Sequence, residues 1–244
     1  MTKIHRGTVS VFAGLDRRSV LTISLIAIIA VLVPGMALAH AVTAGDKGYI
    51  QEVYGVLLIP FTYLGAKHMV TGYDHILFLF GVIFFLYRMK DIAIYVSLFA
   101  LGHSLTMITG VMFNFGINAY IIDAIIGFSI VYKALDNLGA YQRWFGFQPN
   151  TKVVTFGFGL CHGLGLASKV IDYEIAEEGL LPNLIAFNVG VEIGQLLALA
   201  AILVAMGWWR RTESFHRYAY TANVAMMAAG FIFINMHLTG YFTA

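Results

Sequence analysis

Cys161 is the only cysteine in the 244 residues, so no internal disulfide framework can form. It sits in an apolar run, where a small buried thiol is the ordinary use of the residue. Charge is nearly as scarce. Only 11% of the residues are Asp, Glu, Lys or Arg, against roughly a quarter in an average soluble domain, and 59% are hydrophobic. These figures exclude a soluble globular fold. The few basic side chains are scattered between apolar runs and form no stripe able to track phosphates, which argues against nucleic acid as a partner. There is no G-x-x-x-x-G-K-S/T phosphate loop, hence no nucleotide-driven step. Internal repeats and low-complexity tracts are missing too, and the apolar part reads as one domain.

What remains is long hydrophobic runs, 14% aromatics and 25 glycines. This is the composition of helices that pack closely on small residues and carry aromatic belts. Windows of about 20 apolar residues cross the hydrocarbon of a bilayer. Six are expected, near Val70 to Tyr87, Ile92 to Phe113, Ile117 to Leu135, Val153 to Ser168, Leu184 to Trp208 and Tyr218 to Tyr241. The expected fold class is therefore an all-α polytopic transmembrane helix bundle. Upstream, Tyr49 to Leu64 is apolar but interrupted by Gln51, Glu52 and Pro60, which suggests a segment, helical if ordered, that lies on or dips into the outer interface. Phe78, Phe80, Phe84 and Phe85 read as packing against lipid.

The N-terminus has the order of a secretory signal. Lys3, Arg6, Arg17 and Arg18 precede an apolar stretch from Val20 to Val33, then Pro34-Gly35 and Ala37-Leu38-Ala39. Cleavage before His40 divides the chain into a signal at 1–39, an extracytoplasmic segment at 40–67 and a six-helix transmembrane domain at 68–244. His40 would then offer a free amine and an imidazole, a pair that can chelate one metal ion.

Loop charge orients the bundle, because cytoplasmic loops retain Lys and Arg. Arg88 and Lys90, then Lys133, Arg143 and Lys152, then Arg210, Arg211 and Arg217 occupy alternate breaks. The opposite breaks hold an uncharged turn at Asn114 to Gly116 and the acidic residues Asp172, Glu174, Glu177 and Glu178, offset only by Lys169. Both mature termini are expected outside the cytoplasmic membrane of a bacterium, in agreement with a secretory signal.

Ionisable groups within spans cost several kcal/mol unless paired and mark sites or pathways. His68, Asp74 and His75 open the first span, His103 with Ser104 and Thr106 lies in the second, and Asp123 in the third. His162 follows in the fourth, Asn188, Glu192 and Gln195 in the fifth, and Asn235 with His237 in the sixth. At about 1.5 Å per residue, all fall in the outer half of the membrane. His68 and His75 are two turns apart and would share a face of one helix. Gly157, Gly159, Gly163 and Gly165 around His162 permit close helix approach, or unwinding of the segment to expose carbonyls to a cation. A single buried histidine more often serves an interhelical hydrogen bond than a ligand. It is the shared depth that points to a site. Imidazoles with carboxylates and almost no thiolate suit nickel, cobalt, zinc or copper, whereas oxygen alone would suit calcium or magnesium. His40, His68, Asp74, His75, His103, Asp123, His162, Glu192 and His237 are the candidate metal residues, with Ser104, Thr106, Asn188 and Gln195 supporting them.

Four stretches carry a resemblance to a known family: "HMVTGYDHILFLF" with its His68-x5-Asp74-His75, "FALGHSLTMITG" around His103, "GFGLCHGLGLAS" around His162, and "FNVGVEIGQLL" around Glu192. Over roughly residues 65 to 200 the chain resembles the HupE/UreJ family of bacterial membrane proteins. The resemblance implies a nickel or cobalt permease, or an accessory protein of hydrogenase or urease systems. It also implies that His68, Asp74, His75, His103, His162 and Glu192 handle metal, with Ser104 and Thr106 in support.

The leading expectation is a permease for a divalent transition-metal ion, working as a facilitator or coupled to protons through Asp74, Asp123 or Glu192. Three alternatives stand beside it. The chain could be an accessory subunit within a larger membrane metalloenzyme complex. It could be an intramembrane zinc hydrolase with Asp74 or Glu192 as base. His103 and His162 could be axial haem ligands, although no attachment motif accompanies them.

Overall fold

The computed structural model describes residues 54–115, 117–171 and 178–244. The signal, the cleavage point and His40 lie outside the described residues. Among these residues every regular element is an α-helix: α1 Leu58–Thr71, α2 Tyr73–Ile83, α3 Met89–Met112, α4 Ala119–Asn137, α5 Ala140–Phe145, α6 Thr151–Ile171, α7 Leu180–Trp209 and α8 Glu213–Thr243. The molecule is a helical membrane bundle, as the composition requires. Of these, α3, α6, α7 and α8 are long and apolar enough to cross a membrane. The 19-residue α4 carries Asp123, Lys133 and Asp136 in an otherwise apolar sequence.

Three tight helix pairs form the scaffold. α1 lies along α7, α3 along α6, and α4 along α8, while the short α2 threads between them. Glycines set the close spacing. A Cβ on Gly190 would collide with the Thr62 carbonyl oxygen, and one on Gly194 would stand 2.6 Å from that of Ala66. On the second pair, a Cβ on Gly102 would come within 2.6 Å of the Phe156 carbonyl oxygen, and one on Gly163 would strike that of His103. Removing the side chain lets two backbones meet, and in lipid the resulting dispersion contact is the main source of helix association. Phe61, Met69, Phe78, Leu79, Ile83, Phe99, Met107 and Ile130 fill the space enclosed by the pairs.

The first expected span differs from the structure. The run from Val70 to Tyr87 is not one helix, and most of the described part of the apolar stretch before it belongs to a helix that runs on to Thr71. Instead α1 starts at Leu58, the chain breaks at Gly72, and α2 continues to Ile83. The boundary drawn at residue 67/68 therefore falls inside α1. Pro60 explains the difference, because in a first turn the missing N–H has no helical partner to lose and proline is tolerated there. The start of α1 is fixed to the start of α7 by Leu57 N–H donating to Asn183 Oδ1 (2.7 Å) and Asn183 Nδ2 donating to the Gly55 carbonyl (2.9 Å). The far end of α2 is fixed to the end of α7 by Arg210, which donates to the carbonyls of Ile83 and Phe84 and stacks over Tyr87. α1 packs along α7, whereas α2 packs chiefly on α4. With 14 and 11 residues, α1 and α2 are each shorter than the roughly 20 residues that cross an about 30 Å hydrocarbon core alone.

The remaining spans begin and end within about a turn and a half of the expected positions. α6 is continuous through its four glycines, so the unwinding expected around His162 does not occur. Gly159 and Gly163 serve close packing on α3 instead. Phe78 and Phe84 are buried, at 1% and 0% exposure, and do not face lipid.

Gly190→Ala should lower the melting temperature in detergent, with an overpacking cost of about 1 to 3 kcal/mol. Gly207, in the same helix, has open space where a Cβ would go, so Gly207→Ala should be neutral or stabilising by up to about 1 kcal/mol. Thermal unfolding of the two variants side by side checks the pair; equal shifts would contradict close approach at Gly190.

Candidate metal centre

Helix breaks inside a bilayer must return their freed backbone groups to partners. At Gly72, which is extended (φ −75°, ψ 99°), the backbone N–H donates to the His68 carbonyl (2.9 Å), and the Gly72 carbonyl accepts from Ile76 N–H (3.1 Å). His75 N–H donates to Asp74 Oδ1 (2.9 Å). The break thus sets His68, in the last turn of α1, against His75, in the first turn of α2. Their ring centroids are 5.2 Å apart. They share no helix face, contrary to expectation, but the kink brings them together across it. A Cβ on Gly72 would lie 2.6 Å from His75 Nδ1, so the residue must be glycine for the ring to sit there.

Two further helices complete the cluster. The His75 ring lies 6.0 Å from that of His103 on α3 and 4.9 Å from that of His162 on α6. His75, His103 and His162 are buried, and Phe78 and Phe99 pack edge-on or tilted against the rings. This aromatic shell keeps the site apolar. Five imidazole nitrogens in it are buried with no hydrogen-bond partner: His68 Nε2, His75 Nε2, both of His103, and His162 Nδ1. Nearly all buried polar atoms in native proteins have a partner, so five within one cluster demand an account.

Neighbouring bonds fix the two central tautomers. His75 Nδ1 lies 2.9 Å from Asp74 Oδ1, an acceptor, so Nδ1 carries the proton and Nε2 presents a lone pair. Ser129 on α4 is fully buried and donates its one hydroxyl hydrogen to the Ile126 carbonyl (2.6 Å). Its oxygen must therefore accept from His162 Nε2 (3.2 Å), which leaves Nδ1 of that ring as the lone pair. Asp74, His75 and His162 each offer one ligand atom, and these atoms lie within 4.8 Å of one another. Three ligand atoms around one ion, with bonds of about 2.1 Å, stand at most about 3.6 Å from one another. A closing movement of about an ångström would bring them onto one ion.

The other expected site residues fall elsewhere. Asp123 pairs with Lys169 Nζ (2.8 Å), and His237 Nδ1 stands 3.6 Å from the same carboxylate, forming a buried group between α4, α6 and α8. Glu192 is exposed and, with Ser104, Asn188 and Gln195, lines a groove of about 470 Å³ between α3 and α7. Thr106 donates to the Leu160 carbonyl (2.7 Å) and clamps α3 to α6. Ser129 carries no signal in the pattern of ionisable groups, and Lys169, expected to offset the acidic outer segment, is instead in the last turn of α6 and paired with Asp123. Seven residues separate His162 from Lys169, and six separate Asp123 from Ser129, so α4 and α6 are joined by two polar rungs about two turns apart. That register is the signal that could have revealed both.

Lys169→Met should strip Asp123 of its ammonium and destabilise the bundle by about 3 to 5 kcal/mol, whereas Lys169→Met combined with Asp123→Asn should recover much of the loss. Thermal unfolding in detergent of both single variants and the double variant checks this; additive losses would show that the pair is not coupled.

The family model described as "HupE / UreJ protein" matches residues 44–244. No curated protein and no solved structure matches the chain. The family match reaches well beyond the four motifs, across the whole described bundle. The chain belongs to the HupE/UreJ family.

Proposed function

We propose that the chain is a permease for a divalent transition-metal ion, nickel or cobalt by preference, captured at His68, His75, His103 and His162. The observation that carries this reading is the set of five buried, unpartnered imidazole nitrogens in rings that touch one another. Unpartnered lone pairs in a dry aromatic shell are costly as hydrogen-bonding groups and suited to ligation. Nitrogen donors favour borderline ions over calcium or magnesium. In this reading Asp74 orients His75 through its Nδ1–H, and Ser129 orients His162 through its Nε2–H. Such supporting bonds typically tune metal affinity by 10- to 100-fold. Neutral imidazoles hold an ion loosely enough to release it, as conduction requires.

The site lies where the first membrane crossing is broken, between α1 and α2. Breaks of this kind in transporters mark the ion site near the midplane. Family membership supports the same reading, since the family is associated with nickel and cobalt handling in hydrogenase and urease systems. With basic loops held inside, the ion would enter from the outer side of a bacterial cytoplasmic membrane and leave past the Arg210 end.

Uptake of radiolabelled nickel, cobalt, zinc and copper into proteoliposomes tests the proposal. Saturable uptake of one metal should be abolished by His75→Ala and by His103→Ala. Tight binding without uptake in the unaltered protein would sink transport and favour an accessory role. Calorimetric titration supplies a second prediction: Asp74→Asn should weaken binding roughly 10- to 100-fold while the protein remains folded. Unchanged affinity would remove Asp74 from the site.

A further inference from the structure

Glu192 poses a problem that the histidine centre does not solve. It lies twelve residues into α7, about 18 Å along the axis from Leu180, and its side chain is exposed in the middle of an apolar helix. An ionised carboxylate at that depth costs roughly 2.5 to 3.5 kcal/mol on insertion scales unless something compensates it. No Lys, Arg or His lines the groove between α3 and α7 into which it projects.

The groove's other polar groups are all oxygen-bearing and are already oriented. Asn188, Glu192 and Gln195 share one face of α7 at spacings of four and three, and Ser97 and Ser104 face them from α3, two turns apart. Gln195 donates its Nε2 to the Val96 carbonyl (3.2 Å), which turns its Oε1 away from that bond. Asn188 donates its Nδ2 to Ser104 Oγ (2.9 Å), and its Oδ1 is buried without a partner among the described residues. The amide nitrogens are spent on α3 and the oxygens remain.

We infer that this groove is a second cation site, separate from the histidine centre, for a hard monovalent cation of the sodium class. Ligand hardness gives the first half of the argument: carboxylate, amide and hydroxyl oxygens hold hard cations, while a borderline transition metal prefers the imidazoles. Charge gives the second. One carboxylate neutralises one positive charge, so an alkali cation leaves the groove neutral against lipid, whereas a divalent ion would leave a net charge there. The site would tie α3 to α7 at Ser104, the residue next to His103.

The test is thermal unfolding of the purified full-length chain in detergent, with sodium chloride replacing choline chloride stepwise at constant ionic strength. The melting temperature should rise by a few degrees and saturate, as expected for a ligand that binds only the folded state. Glu192→Gln and Asn188→Leu should abolish the rise, and His103→Ala should retain it. Binding of radiolabelled sodium, saturable in the unaltered protein and lost in Glu192→Gln, gives a readout that does not depend on stability. Metal uptake enters neither measurement, so a failed permease assay leaves this one standing. An unaltered melting temperature across the sodium series, an equal rise in Glu192→Gln, or stabilisation on acidification alone would each overturn the proposal.

Discussion

Everything at the centre of this molecule depends on a rule of the bilayer: a backbone group without a partner cannot stay in hydrocarbon. The chain breaks between α1 and α2 at Gly72 and meets the rule locally, with the His68 and Gly72 carbonyls taken up by nearby N–H groups and Asp74 accepting from His75 N–H. Because the break is satisfied from within, it can be sharp. A sharp break is what turns two histidines on successive helices toward each other, and no straight helix could bring them to this arrangement.

The surrounding scaffold makes the break affordable in packing terms. α1 holds to α7 and α3 to α6 through backbone contacts at glycines, which fixes His68 and the pair His103 and His162 on two rigid units. α2, placed between them, carries Asp74 and His75 into the gap. Phe78, one turn beyond His75, and Phe99, one turn before His103, then close the space around the rings. Side chains held by rigid helices can present unpaired nitrogens without collapsing onto one another.

Much of this was legible in the sequence as depth. Counting residues from the ends of apolar runs correctly located α3, α4, α6, α7 and α8, and brought His103 and His162 to a common level. What counting cannot supply is direction around the helix axis. His103 and Ser104 are neighbours at one depth, yet one faces the histidine cluster and the other the groove with Glu192, because successive helical residues point about 100° apart. On α7 the one polar face, with Asn188, Glu192 and Gln195, turns to the groove and not to the histidine cluster, so a polar stripe does not by itself indicate which side faces the site. The break at Gly72 is obscured for a different reason, since the polar residues beside it, Asp74 and His75, signal a site within a span as readily as the end of a helix. Pro60, the strongest local signal nearby, marks a helix start, and proline alone does not distinguish a start from an interruption.

The two fixed tautomers have an electrical consequence. Asp74 assigns the proton of His75 to Nδ1, and Ser129 assigns that of His162 to Nε2, so each ring already presents a bare lone pair. An ion settling between them would displace no proton from either ring. The Asp74 carboxylate beside His75 would offset part of its charge, and a membrane potential would act on the remainder, at about 2.3 kcal/mol per charge for each 100 mV. For the permease proposed above, a negative interior would favour movement of the ion from this station toward that side.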